Sequence, residues 1–225
     1  LHSTSRRQRQ MCIRDSTYSE FTDAAVFTKL DVKEEGGNLI LTANYKLGNL
    51  DKAQWTIHPD GMATLDYTYN FSGVVDLMGI CFDYPEEQVL SKRWLGAGPY
   101  RVWQNRIHGA QYDIWENDYN DPIPGETFTY PEFKGYFGSV SWMSIRTKEG
   151  TISLTNETPD FYIGVYQPRD GRDRLLYTLP ESGISVLNVI PPVRNKVNST
   201  DLCGPSSQPK WVDGPQTGRL VLRFE

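Results

Sequence analysis

The chain has 225 residues, with 23 Lys and Arg against 28 Asp and Glu, a formal charge of −5, and 38% hydrophobic residues. That length suffices for one large domain or two small ones folding without disulfides, and the evenly spread charge excludes a disordered chain. The acidic balance excludes the basic footprint of a nucleic-acid or anionic-membrane binder, and no apolar run approaches the ~20 residues of a membrane helix.

Residues 1–16, LHSTSRRQRQMCIRDS, hold Arg6, Arg7, Arg9 and Arg14 but no apolar core, so they are not a signal peptide. Met11 to Ser16 resembles a translated sequencing-adapter scar. We set residues 1–16 aside as a non-native, disordered segment and expect a single domain over residues 17–225. Cys81 and Cys203 then remain, far apart and with no C-x-x-C spacing, which predicts isolated thiols and neither a metal nor a redox centre.

From Ala24 onward the pattern is strand after strand. Val26–Val32 and Leu39–Tyr45 flank Gly36-Gly37 and read as a hairpin. Gln54–Ile57 precedes the turn Pro59-Asp60-Gly61. Met62–Phe71 alternates with period two: Thr64, Asp66, Thr68 and Asn70 against Leu65, Tyr67, Tyr69 and Phe71. One wet face suits an antiparallel sheet. Val74–Phe82 is more continuously apolar and predicts a central strand. Val89–Leu95 is a further strand, Gly96–Arg106 an aromatic stretch with Gly and Pro, and Asn117–Glu132 a long loop. Strands follow at 138–147, 151–156, 161–167 and 184–190. Asn195–Gln216 is polar, and Leu220–Phe224 closes the series. No helical periodicity holds over three turns. The expectation is an all-β sandwich of antiparallel sheets.

No nucleophile, phosphate or metal motif occurs, and the two histidines of the domain, His58 and His108, stand alone. No catalytic residue and no metal ligand is assigned. The density of aromatics is more informative. Trp94, Tyr100, Trp103, Tyr112, Trp115, Tyr119, Tyr130, Tyr136 and Trp142 are interleaved with Arg, Asn, Asp and Glu. Sugars present apolar C–H faces that rings cover, and hydroxyls that carboxylates, amides and guanidinium groups bind. The pattern therefore points to carbohydrate, with packing in a sandwich core as the competing use of the same rings.

The stretch Trp94-Leu95-Gly96-Ala97-Gly98-Pro99-Tyr100-Arg101-Val102-Trp103-Gln104-Asn105-Arg106 resembles the W-x-G-x-G-P-x-E-x-Y-x-D-R signature of the C-terminal, small-chain domain of family 2 β-galactosidases, in a Bacteroidetes-type variant. Residues 76–86 (DLMGICFDYPE), 130–138 (YPEFKGYFG) and Trp55-Thr56-Ile57 with Asp60-Gly61 extend the likeness over about residues 24–225. Arg101 and Asn105 stand where the signature has acids, and contacts of those acids do not carry over. Trp211, the sole late tryptophan, sits in a motif that differs.

The resemblance implies a galactose-mutarotase-like β-supersandwich and a fragment of a larger bacterial enzyme, periplasmic or cytoplasmic. The parent is a retaining glycosidase whose two catalytic glutamates lie on a TIM barrel outside this chain. The implied partners are that barrel, a β-galactoside-type glycan and other copies of the parent in a homo-oligomer; no cofactor, nucleic acid or membrane is implied. Alone, the domain is expected not to hydrolyse. Arg101, Trp103, Asn105, Arg106, Trp115, Glu116 and Glu132 are the expected carbohydrate-binding residues, gathered at one end or groove. An apolar patch where the barrel would dock is expected as well. Two readings compete: a free-standing carbohydrate-binding module, which needs a solvent-open aromatic platform, and an aldose mutarotase, which needs His58 and His108 converging with a carboxylate such as Glu132.

Overall fold

The structure is a computed structural model that describes residues 25–75, 77–118, 135–158, 161–165, 183–192 and 204–225. The Gly36-Gly37 pair, with φ of 59° and 83°, closes a two-residue hairpin between β1 (Val26–Glu35) and β2 (Asn38–Lys46). β3 (Leu50–Ile57) and β4 (Met62–Asn70) follow. Their connection is the expected Pro-Asp-Gly turn: Gly61 takes φ 84° and donates to the His58 carbonyl at 3.1 Å, and Met62 N–H donates to Asp60 Oδ1 at 3.0 Å. Next come β5 (Gly73–Val75), β6 (Met78–Phe82), β7 (Val89–Val102), β8 (Gln111–Asp118) and β9 (Tyr136–Thr147). The chain ends with β10 (Thr151–Asn156), β11 (Tyr162–Val165), β12 (Ile184–Val189), β13 (Lys210–Val212) and β14 (Pro215–Phe224). Apart from two 3-10 turns, all regular structure among the described residues is antiparallel β.

The larger layer runs β1-β2-β3-β4-β14-β10-β9-β7-β8. Strand β9 serves two layers. Its later half pairs with β10 and β7, while Phe137 near its start pairs with Ile163 of β11, which leads through β12 to β6. Ser139, with φ 46°, lies where β9 changes course. A ribbon of β13 with β5 stands apart from both layers.

Period two decides which side chains enter the sandwich. In β4, Leu65, Tyr67 and Tyr69 are buried, whereas Asp66 pairs with Arg219 of β14 at 2.8 Å on the outer face. Register carries the inward set across the sheet from Ala63 through Leu222, Leu154, Met143 and Trp94. The last four meet Ile80, Ile163 and Val186 of the smaller layer in one core cluster. Tyr69 Oη donates to Asn188 Oδ1 at 2.6 Å and ties the two layers together. Tyr67 Oη is buried with no partner among the described residues, and its ring passes over Gly218, where a Cβ would lie 2.1 Å from it. Burial raises both phenols well above the ordinary tyrosine pKa. In thermal or urea unfolding, Tyr69→Phe is expected to cost about 1 kcal/mol and Tyr67→Phe to be neutral or stabilising. Equal losses would contradict this difference in bonding.

Four expectations are corrected. Residues 74–82 form two strands, and β6 ends the smaller sheet rather than lying at its centre. Its continuous apolarity has another cause: Ile80 packs in the main core, while Cys81 faces a second cluster with Val102, Trp103 and Leu187. Strand β7 runs on through the aromatic stretch to Val102. The last strand, β14, begins at Pro215 rather than Leu220, and it sits mid-sheet between β4 and β10. Cys81 is not an isolated thiol but disulfide-bonded, and its partner lies outside the described residues.

Candidate functional site

The segment from Trp94 to Arg106 builds the junction between the layers. Gly96 faces the β9 bend, where a Cβ would come within 2.9 Å of the Gly138 carbonyl oxygen. Gly98 lies under the Trp115 ring, with the same hypothetical Cβ 2.5 Å from it. The Trp94 and Trp115 indoles donate to the Ala97 and Gly96 carbonyls, each at 3.2 Å. Arg101 is buried with its guanidinium 5.1 Å from the Phe137 ring centroid, and the Lys92 ammonium sits 5.8 Å from the same ring. Trp103 is fully buried, edge-on to Tyr136 at 5.6 Å. Arg106 N–H donates to the Trp103 carbonyl at 2.8 Å and turns the chain. Gln104 donates to the Ser206 and Gln208 carbonyls at 2.9 and 2.7 Å, and Asn105 to Ser207 Oγ at 2.9 Å. These bonds pin residues 206–208 onto the turn.

The expected binding residues are thus divided. Arg101, Trp103, Asn105 and Trp115 gather in and around the junction. Arg101 and Trp103 are closed to solvent there, Asn105 is bonded to Ser207, and Trp115 is half-buried against the main core. Arg106 is exposed at the turn. Glu116 is exposed on the other face of β8, because neighbouring residues of a strand point to opposite sides. The two tryptophans belong to different packing clusters. Glu132 lies outside the described residues. Trp211 is 71% exposed on β13.

The face that carries Glu116 holds a second arrangement. In register across three strands, Ile114 of β8 lies opposite Leu95 of β7, which lies opposite Trp142 of β9. Tyr112, two residues before Ile114, reaches across β7 and shares a 2.6 Å hydrogen bond with Ser141 Oγ of β9. Tyr112 is 58% and Ile114 48% exposed, and Leu95 and Trp142 are half-buried. The adjoining row pairs Glu116 with Arg93 and Arg93 with Ser144, and Ser144 Oγ lies 3.4 Å from Ser153 Oγ. This is an open floor of rings and branched apolar side chains, edged by a carboxylate, a guanidinium and hydroxyls. Reading residues 111–118 as a strand would have placed Tyr112, Ile114 and Glu116 on one side and Trp115 on the other.

A groove of about 140 Å³ opens where β6 stops covering β2 and β3, lined by Tyr45, Trp55, Tyr67 and Phe82 among others. It falls below the roughly 300 Å³ at which ligand pockets begin. Among the described residues no group of three or more His, Cys, Asp or Glu could hold a metal ion. His58 and His108 do not share a cleft. His58 follows β3, whose direction alternates through β4, β14, β10 and β9 to β7, so the turn after β7 that carries His108 lies at the opposite end of the sheet.

No family model and no curated protein matches the chain. Among solved structures it is similar to the GalM/aldose epimerase homologue from C. elegans. The two are 8% identical with a TM-score of 0.36, and the match covers 88% of this chain and 69% of that one.

Proposed function

We propose that this chain is a carbohydrate-binding accessory domain of a β-galactosidase-type glycoside hydrolase, holding glycan beside a catalytic barrel that does the chemistry. The observation that carries the reading is the floor of Tyr112, Ile114, Leu95 and Trp142 on the outer face of the larger sheet. A pyranose laid on it would set its C–H face against the rings and present equatorial and axial hydroxyls to Glu116, Arg93 and the Ser144–Ser153 pair. The flat, open form suits a run of sugar units rather than one enclosed ring. The link to family 2 hydrolases rests on the Trp94–Arg106 signature. The structure gives that segment a definite task, the glycine-dependent junction between layers.

Affinity electrophoresis of the full chain through gels containing soluble β-1,4-galactan tests the reading. Retardation is expected, with Trp142→Ala weakening it about tenfold. Unretarded migration, or retardation unchanged by Trp142→Ala, would remove the platform from consideration.

A further inference from the structure

We propose that the free edge of β1 pairs with the β1 of a second copy, antiparallel about Val32, joining two molecules into one continuous sheet. Among the described residues, strand β1 is the terminal strand of the larger layer, and all ten of its residues are exposed. The hairpin fixes which backbone groups face outward. Gly36 and Gly37 form a two-residue turn, so Glu35 and Asn38 are its hydrogen-bonded closing pair. Alternation then directs the N–H and C=O of Glu35, Lys33, Asp31 and Lys29 toward β2. Those of Leu30, Val32 and Glu34 point to the open edge.

The charged side chains on the outer face of that edge are self-complementary. A two-fold axis at Val32 sets Val32 opposite Val32 of the second copy as a hydrogen-bonded pair. Asp31 then faces Lys33, and Lys29 faces Glu35, each occurring twice by symmetry. These four opposite-charge pairs occupy non-hydrogen-bonded positions, where facing side chains approach closest. Within one copy the same groups satisfy one another along the strand, Lys29 with Asp31 and Lys33 with Glu35, each at 2.5 Å. Both pairs are well exposed, so exchanging them for cross-strand partners costs little.

Apolar exposure lies on the same edge. Val32 is 58% and Leu30 50% exposed, and register continues them through Leu41 to Trp55 on the inward face of the larger sheet, beyond the cover of β6. A two-fold perpendicular to the sheet keeps the inward faces of both copies on one side and brings the Val32 side chains together. Strand β8, which carries the aromatic floor, is the opposite edge among the described residues. The paired form therefore leaves both floors open, pointing outward.

Sedimentation equilibrium of the full chain from micromolar to millimolar concentration, with thermal unfolding as a check on folding, tests the proposal. The expected result is a concentration-dependent dimer. Val32→Pro removes an N–H that β2 does not use, so it is expected to abolish the dimer while leaving the unfolding midpoint nearly unchanged. Lys33→Glu is expected to raise the dimer dissociation constant about tenfold or more, and the double variant Asp31→Lys/Lys33→Glu to restore it. The charge variants decide the matter should the proline variant fail to fold. A monomer at every concentration, a dimer indifferent to Val32→Pro, or a Lys33→Glu loss that the double variant does not restore would overturn the proposal.

Discussion

Trp103→Ala is expected to lower the free energy of unfolding by about 3–5 kcal/mol, as for other fully buried large aromatics. Trp103 has no exposed surface and fills the space between Tyr136, Val102, Leu187 and Ile190. The backbone around it is constrained: its carbonyl accepts from Arg106, and Gly135 leaves room for the indole where a Cβ would lie 2.9 Å from Nε1. Trp103→Phe should cost clearly less, because the indole N–H is buried with no partner among the described residues and its removal forfeits no bond. Urea unfolding of both variants measures the contrast. A loss under about 1 kcal/mol for the alanine variant would mean that this ring lies at a surface.

Reduction of the Cys81 disulfide is expected to destabilise the chain by about 2–4 kcal/mol, read as a drop in unfolding midpoint with and without reductant. Its partner is one of the two other cysteines, Cys12 or Cys203. Two described contacts favour the second. Ser206, Ser207 and Gln208, just after Cys203, are bound by Gln104 and Asn105, and Trp103 beside them shares a cluster with Cys81. Peptide mapping without reductant should therefore return a peptide pair containing Cys81 and Cys203. Finding Cys81 alkylated in the native chain, or an unchanged midpoint in reductant, would contradict this.

The hairpins were legible because their determinants are local. Gly36-Gly37 needs positive φ, Pro59-Asp60-Gly61 needs one residue of the same kind, and the alternation of β4 shows its wet face in plain sequence. The outer elements β6 and β8 were harder for a shared reason. Hydrophobicity reports burial rather than sheet position. Strand β6 is apolar throughout because it has a core cluster on each side, and it reads as central although it ends its sheet. Strand β8 is exposed at most positions, and its Tyr112 and Trp115 read as members of one undivided aromatic cluster.

The same limit governs the site. The aromatic density was visible, but an aromatic in a sandwich either packs or recognises, and composition does not distinguish the two. Trp94 and Trp103 stand in the conspicuous glycine-rich segment, and the fold uses both for packing. Trp142 and Tyr112, in plainer surroundings, lie on the open face. The decisive information is strand parity, which depends on where each strand begins and on the bulge opposite Gly96. Neither is written in residue type.

The placement of β14 between β4 and β10 also sets an order of assembly. During synthesis the β1–β4 meander emerges early, and β7 to β10 can pair among themselves, but the strand that joins the two groups is made after both. Until residues 215–224 leave the ribosome, the nascent chain holds two half-sheets with raw edges at β4 and β10, and the apolar rows meant for one core stand open to solvent. Closure waits on a contact between distant parts of the chain, the slow kind of step in β folding. A ribosome stalled before Pro215 would thus present a cell's chaperones with a domain whose sheet is still in two pieces.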